Sequence, residues 1–145
     1  MKGSLCGVLA LISLAGVGLA SVGQAADDKG DKKVDPRVFE MRTYYAAPGK
    51  MDALHARFRN HTNKLFVKHG MTVIGFWSPM DPEQSKQKLV YILAFPSREA
   101  AAKSWKAFQE DPDWKEAKAA SEKDGKLVDK VDSVFLSPTD YSPLK

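Results

Sequence analysis

Between residues 38 and 45 apolar and polar positions alternate with period two, which predicts a strand. One face of it carries Phe39, Met41, Thr43 and Tyr45, and the other Val38, Glu40, Arg42 and Tyr44. Ala47-Pro48-Gly49 then breaks the alternation. Met51, Leu54, Phe58, Leu65 and Phe66 follow at helical spacing, so a helix is expected from about 50 to 69. Gly70 is placed to end it, with Lys68 and His69 in the last turn, where positive charge suits the helix dipole. A second strand is expected over 71–78, then a loop over 79–85 from its prolines and polarity. The third strand, 89–95, is apolar on both faces, the pattern of a strand covered on two sides. Ser97 is the expected cap of the next helix, whose inner face is Ala101, Trp105 and Phe108. Asp111-Pro112 interrupts that helix and restarts it, with Asp111 capping and Pro112 in the first turn. Trp114, Ala117 and Ser121 share one side of the new piece, and Gly125 ends it. Residues 126–136 form a fourth strand, with Val131, Ser133 and Phe135 alternating against Asp132, Val134 and Leu136, and 137–143 is an extended tail.

The order β-α-β-β-α-β, with its second helix in two pieces, is an α+β ferredoxin-like unit. Its four antiparallel strands would carry both helices on one face. The other face, assigned to Val38, Tyr44, Val90 and Ile92, then needs a cover. The usual cover is a second copy packed sheet against sheet, a two-fold homodimer of the dimeric α/β barrel kind.

The amino terminus alters the picture of where this domain works. Lys2, the uncharged apolar run 5–20 and the small residues Gly23 and Ala25 make a secretory signal peptide of residues 1–25. Residues 26–36, with Asp27-Asp28-Lys29-Gly30-Asp31-Lys32-Lys33, have little to bury and read as a disordered leader before a domain of 37–145. The chain is therefore expected to be exported, periplasmic or secreted, with no stable membrane insertion once the signal is cleaved. Cleavage would leave 120 of the 145 residues and take the single cysteine, Cys6, so no disulfide is expected. A formal charge of +4, or +3 without Lys2, is far from the dense basic field that nucleic-acid binding requires.

Candidate chemistry is sparse. His55, His61 and His69 are spaced by six and eight, not by the four that sets two ligands on one helical face, so neither metal nor cofactor is expected. No phosphate loop and no Gly-x-Ser-x-Gly elbow occurs. His61, three after Phe58 and four before Leu65, is expected on or beside the sheet-facing stripe. There it would either bond structurally or serve a pocket as acid or base. His55 and His69 read as surface residues. Glu40, Arg42 and Tyr44 share a strand face, as a structural ion pair or as the polar floor for an anionic or carbonyl ligand. Trp77 and Tyr91 belong to an aromatic set, with Tyr45, Trp105 and Trp114, that suits a core or the walls of a pocket.

Several segments carry a resemblance. Phe39-Glu40-Met41-Arg42-Thr43-Tyr44 with Pro48-Gly49-Lys50-Met51 is similar to the opening of a NIPSNAP domain. Arg57-Phe58-Arg59-Asn60-His61-Thr62, Lys68-His69-Gly70-Met71, Gly75-Phe76-Trp77 and Phe108-Gln109-Glu110-Asp111-Pro112-Asp113-Trp114 continue it, as does the tail. The chain thus resembles an exported, bacterial-type NIPSNAP member. The resemblance implies a dimeric α/β barrel but no catalytic residues and no agreed reaction. Two functions are weighed: a dimeric module binding a small apolar or carbonyl ligand or a protein partner, and a small cofactor-independent or haem-using monooxygenase-like enzyme with His61 in an aromatic pocket near Trp77.

Overall fold

The computed structural model describes residues 37–145, so the expected signal peptide and leader lie outside the described residues. Strands β1 (Val38–Ala46), β2 (Thr72–Trp77), β3 (Lys88–Phe95) and β4 (Val128–Leu136) form one sheet in the order β2-β3-β1-β4. Every neighbouring pair is antiparallel. This is the ferredoxin-like α+β arrangement that the element order predicts.

Helix α1 (Met51–Arg57) passes through a π-helical segment (Phe58–Thr62) into α2 (Asn63–Lys68). The Asn63 N–H donates to the carbonyl of Phe58, five residues back, and the Thr62 hydroxyl donates to the carbonyl of Arg57 at 3.3 Å. The wider turn inserts one residue into the helical phase. Thr62 therefore takes the inward position between Phe58 and the Leu65–Phe66 pair and is buried, while His61 is turned out to solvent. The expectation that His61 faces the sheet fails here, because it assumed an unbroken α-helical period.

Sequence patterns set the remaining elements closely. A short helix, α3 (Pro82–Ser85), lies inside the expected loop, capped by Asp81 Oδ1 accepting from Gln84 N at 2.9 Å. Ser97 caps α4 (Arg98–Glu110) by accepting from Ala100 N at 3.1 Å. Asp111 ends α4 and caps α5 (Pro112–Ser121), its Oδ1 accepting from Asp113 N at 2.8 Å. Its Oδ2 meets Lys68 Nζ at 2.8 Å and His69 Nε2 at 2.6 Å, so one carboxylate ties the end of α2 to the α4–α5 corner. His69 is thus a half-buried partner of Asp111 and not a free surface residue. The Lys68 ammonium holds the Asp111 carboxyl well below the usual range, against burial and with help from His69 and the Asp113 amide.

The core lies between the helices and one face of the sheet. Leu54, Phe66, Tyr91, Leu93 and Ala101 have no exposed surface, and Phe66 packs its ring against Tyr91, Trp105 and Phe108. Cross-strand register sets the faces: Glu40 lies opposite Leu93, Arg42 opposite Tyr91 and Tyr44 opposite Leu89. Val38, Glu40, Arg42 and Tyr44 therefore point toward the helices, whereas Phe39, Met41, Thr43 and Tyr45 share the open face with Val90 and Ile92. The assignment of Val38 and Tyr44 to the open face is corrected by this register. Alternation defines two faces but not which one the helices cover.

On the open face the carboxy-terminal tail lies over one corner. Arg37 Nε donates to Lys145 O at 2.7 Å, and the tail with Phe39, Ile74, Ile92 and Leu136 bounds a cleft of about 300 Å³. Trp77, Val134 and Leu136 stay partly exposed on this face, by 39–48%.

Candidate functional site

The polar row of β1 is where chemistry gathers. Residues two apart on a strand point the same way, so Glu40, Arg42 and Tyr44 stand in line beneath the helices. Glu40 is buried, and a buried carboxylate is tolerated only when paired and hydrogen-bonded. Trp105 Nε1 of α4 donates to its Oε2 at 2.5 Å and the Ser133 hydroxyl of β4 donates to its Oε1 at 2.6 Å. Arg42 Nε lies 3.2 Å from the same Oε1, an ion-pair separation, but its N–H is not aligned and finds no hydrogen-bond partner among the described residues. The guanidinium instead stacks 4.1 Å from the Trp105 ring.

Tyr91 completes the cluster from β3. It is fully buried, its ring is 5.3 Å from Tyr44 edge-on, and its hydroxyl, with Tyr44 and Arg42 beside it, has no well-aligned hydrogen-bond partner among the described residues. Burial, and then the neighbouring Tyr44, push that hydroxyl well above the ordinary tyrosine range, against the pull of Arg42. It is therefore a neutral donor at any physiological pH. Burial works against the Arg42 charge, but its surroundings, with the Glu40 carboxylate among them, outweigh it and hold its pKa above the ordinary arginine value.

Tyr44 also forms one wall of a groove of about 300 Å³ that opens between α5 and strands β1 and β4. Trp114 and Val131 supply further wall, and the buried Arg57 sits within it. The volume is at the lower end of small-molecule sites.

Of the six residues singled out from the sequence, the fold brings four together: Glu40, Arg42, Tyr44 and Tyr91. His61 and Trp77 are elsewhere. His61 borders a separate outer groove of about 520 Å³ between α2 and α5, with Lys64, Lys68, Asp113 and Glu116. Trp77 follows Phe76, whose ring packs on Phe58, so Trp77 projects on the open face and lies over Gly75. The expected aromatic pocket shared by His61 and Trp77 does not form. Sequence reading missed Trp105 and Ser133 as partners of Glu40, although Trp105 lies on the expected inner face of its helix and Ser133 alternates with Val131 and Phe135. It also missed Arg57, three residues after Leu54 and so on the buried stripe. Among the described residues, no group of three or more His, Cys, Asp and Glu is placed to hold a metal, and no helix is long and apolar enough to cross a membrane.

Fold and site together define a ferredoxin-like α+β domain with a buried polar cluster between sheet and helices. The chain belongs to the NIPSNAP family, whose sequence profile matches residues 39–143. A NIPSNAP family protein of unknown function from Agrobacterium tumefaciens superposes with a TM-score of 0.66 at 21% identity, over 77% of this chain and 96% of that one. An uncharacterized NIPSNAP domain protein from Burkholderia xenovorans gives 0.62 at 20%, over 73% and 98%. A second Agrobacterium tumefaciens NIPSNAP protein gives 0.65 at 21%, over 75% and 99%. At these identities the likeness speaks for the fold alone. No curated protein matches.

Proposed function

We propose that this protein is an exported, homodimeric NIPSNAP-type module that binds a small ligand through a carbonyl or carboxylate oxygen. The carrying observation is the Tyr91 hydroxyl, fully buried beside Tyr44 and the incompletely bonded Arg42 and without a well-aligned partner among the described residues. A buried polar group left unpaired costs about 1–3 kcal/mol, and an acceptor oxygen entering past Tyr44 would relieve it. Export is supported by Lys2, the apolar run 5–20 and Ala25. The dimer is supported by exposed Trp77, Val134 and Leu136 on the face without helices.

Native mass spectrometry of protein purified from its own host tests the binding reading by looking for a retained ligand. Tyr91→Phe removes the unpaired hydroxyl, so it should leave stability unchanged or higher while abolishing retention. A variant that retains the ligand as well as wild type overturns the role of this cluster. For the assembly, light scattering at micromolar concentration should give twice the chain mass. A stable monomer would mean that the tail alone suffices to cover the open face.

A further inference from the structure

We infer that the groove between α5 and strands β1 and β4 is an anion site, and that the ligand class it takes is a flat, single-ring carboxylate. The inference deepens the binding reading above and rests on it, but on different residues. Arg57, the last residue of α1, is only 4% exposed. Its hydrogen bonds all leave from Nη1, to Glu122 Oε1 at 2.9 Å and to Ser121 Oγ at 3.4 Å. Its Nε is enclosed by protein and has no acceptor among the described residues, and its Nη2, which is not enclosed in that way, makes no hydrogen bond among them either. A guanidinium taken out of water and left with unused donors calls for a further acceptor.

The carboxylates of the groove do not meet that need. Glu122 is already engaged by Arg57, and Asp129 is engaged by Lys126 at 2.9 Å. On the cationic side, Lys130 is tied to Asp132 at 2.9 Å, but the exposed Lys118 has no ion pair among the described residues. The groove therefore holds Arg57, its charge met by Glu122 but with donors unused, and Lys118, which has no carboxylate partner among the described residues. An arginine fork suits the two oxygens of a carboxylate.

The walls decide the rest of the ligand. Trp114 lies with its ring 5.2 Å from the Arg57 guanidinium, and Tyr44 and Val131 face the same space. Trp114 is already stacked on Phe108, and Tyr44 is packed on Phe58 and Tyr91, so the wall offers ring edges and Val131 to a ligand. A planar ring fits about 300 Å³ and packs along this apolar wall while its carboxylate reaches Arg57 and Lys118, which a bare inorganic anion would not do.

The test is a titration of the ¹⁵N-labelled mature protein with benzoate, benzamide and inorganic phosphate, read at the Trp114 indole N–H and checked by Tm. Benzoate should shift that signal saturably, and benzamide and phosphate should bind at least tenfold more weakly. Lys118→Gln, an exposed change, should weaken benzoate at least threefold with little change in Tm, and Arg57→Lys should weaken it as well. Equal binding of benzamide, no Trp114 shift at tens of millimolar benzoate, or an indifferent Lys118→Gln overturns the anion site. Phosphate binding as tightly as benzoate overturns the aromatic assignment. A neutral ligand recovered with the native protein and lost in Tyr91→Phe would uphold the binding function and sink this inference alone.

Discussion

The indole of Trp105 donates to the buried carboxylate of Glu40 at 2.5 Å, joining α4 to β1 across the layer between helices and sheet. Ser133 reaches the same carboxylate from β4, and Arg42 lies beside it while stacking on Trp105. Three elements far apart in sequence thus meet on one side chain. Glu40→Gln keeps acceptor and shape but leaves Arg42 without its counter-charge. Because Arg42 retains a fifth of its side-chain surface, the cost should lie near the low end for breaking a buried pair, about 3 kcal/mol in urea unfolding. Adding Arg42→Met should recover most of that loss. Loss of less than about 1 kcal/mol in the single variant would mean that the pair contributes little.

His61 and Thr62 give opposite expectations because the π segment exchanges their directions. His61→Ala should change stability by less than about 0.5 kcal/mol, as an exposed substitution does. Thr62→Ala removes a buried hydroxyl that bonds the Arg57 carbonyl and should cost about 1–2 kcal/mol. Denaturant unfolding of both variants decides the matter, and a larger loss at His61 would contradict the π-helical phase.

Asp111 sets the expected acid response. Its folded pKa is lowered, chiefly by Lys68, so its stabilisation is fully present above the unfolded value near about 4 and is lost as pH falls toward the folded value. The Tm of wild type should therefore be level in this respect from pH 7 to pH 5 and fall below about pH 4. Asp111→Asn should be less stable at pH 7 and should fall less steeply, so that the two curves converge in acid. Parallel curves from pH 7 to pH 2 would remove Asp111 as the source.

Gly75 tests the placement of Trp77. A Cβ built there would come within 2.8 Å of the far edge of the Trp77 ring. That ring is half exposed and free to swing, so Gly75→Ala should cost under about 1 kcal/mol while changing the tryptophan emission. An unchanged spectrum would show that the indole does not rest on Gly75.

The sequence by itself determined the elements, their order and most caps. Period-two and helical spacing, Gly70, Ser97 and Asp111-Pro112 are local signals, and local backbone geometry answers to them. It also marked Glu40, Arg42 and Tyr44 as a set on one strand face, since charged residues in a strand between apolar neighbours need partners, but placed Tyr91 only in an aromatic set with Trp77. Tertiary structure alone decided which face of β1 the helices cover. The alternate set, Phe39, Met41, Thr43 and Tyr45, is the more apolar, and only the positions of Trp105 and Ser133 make burial of Glu40 affordable. It alone also decided where His61 points, because one extra residue in a π turn rotates everything between Phe58 and Leu65. The Arg57 groove was invisible for the same kind of reason: a buried arginine reads as an ordinary helix charge until Glu122, Ser121 and Trp114, more than fifty positions away, are packed against it.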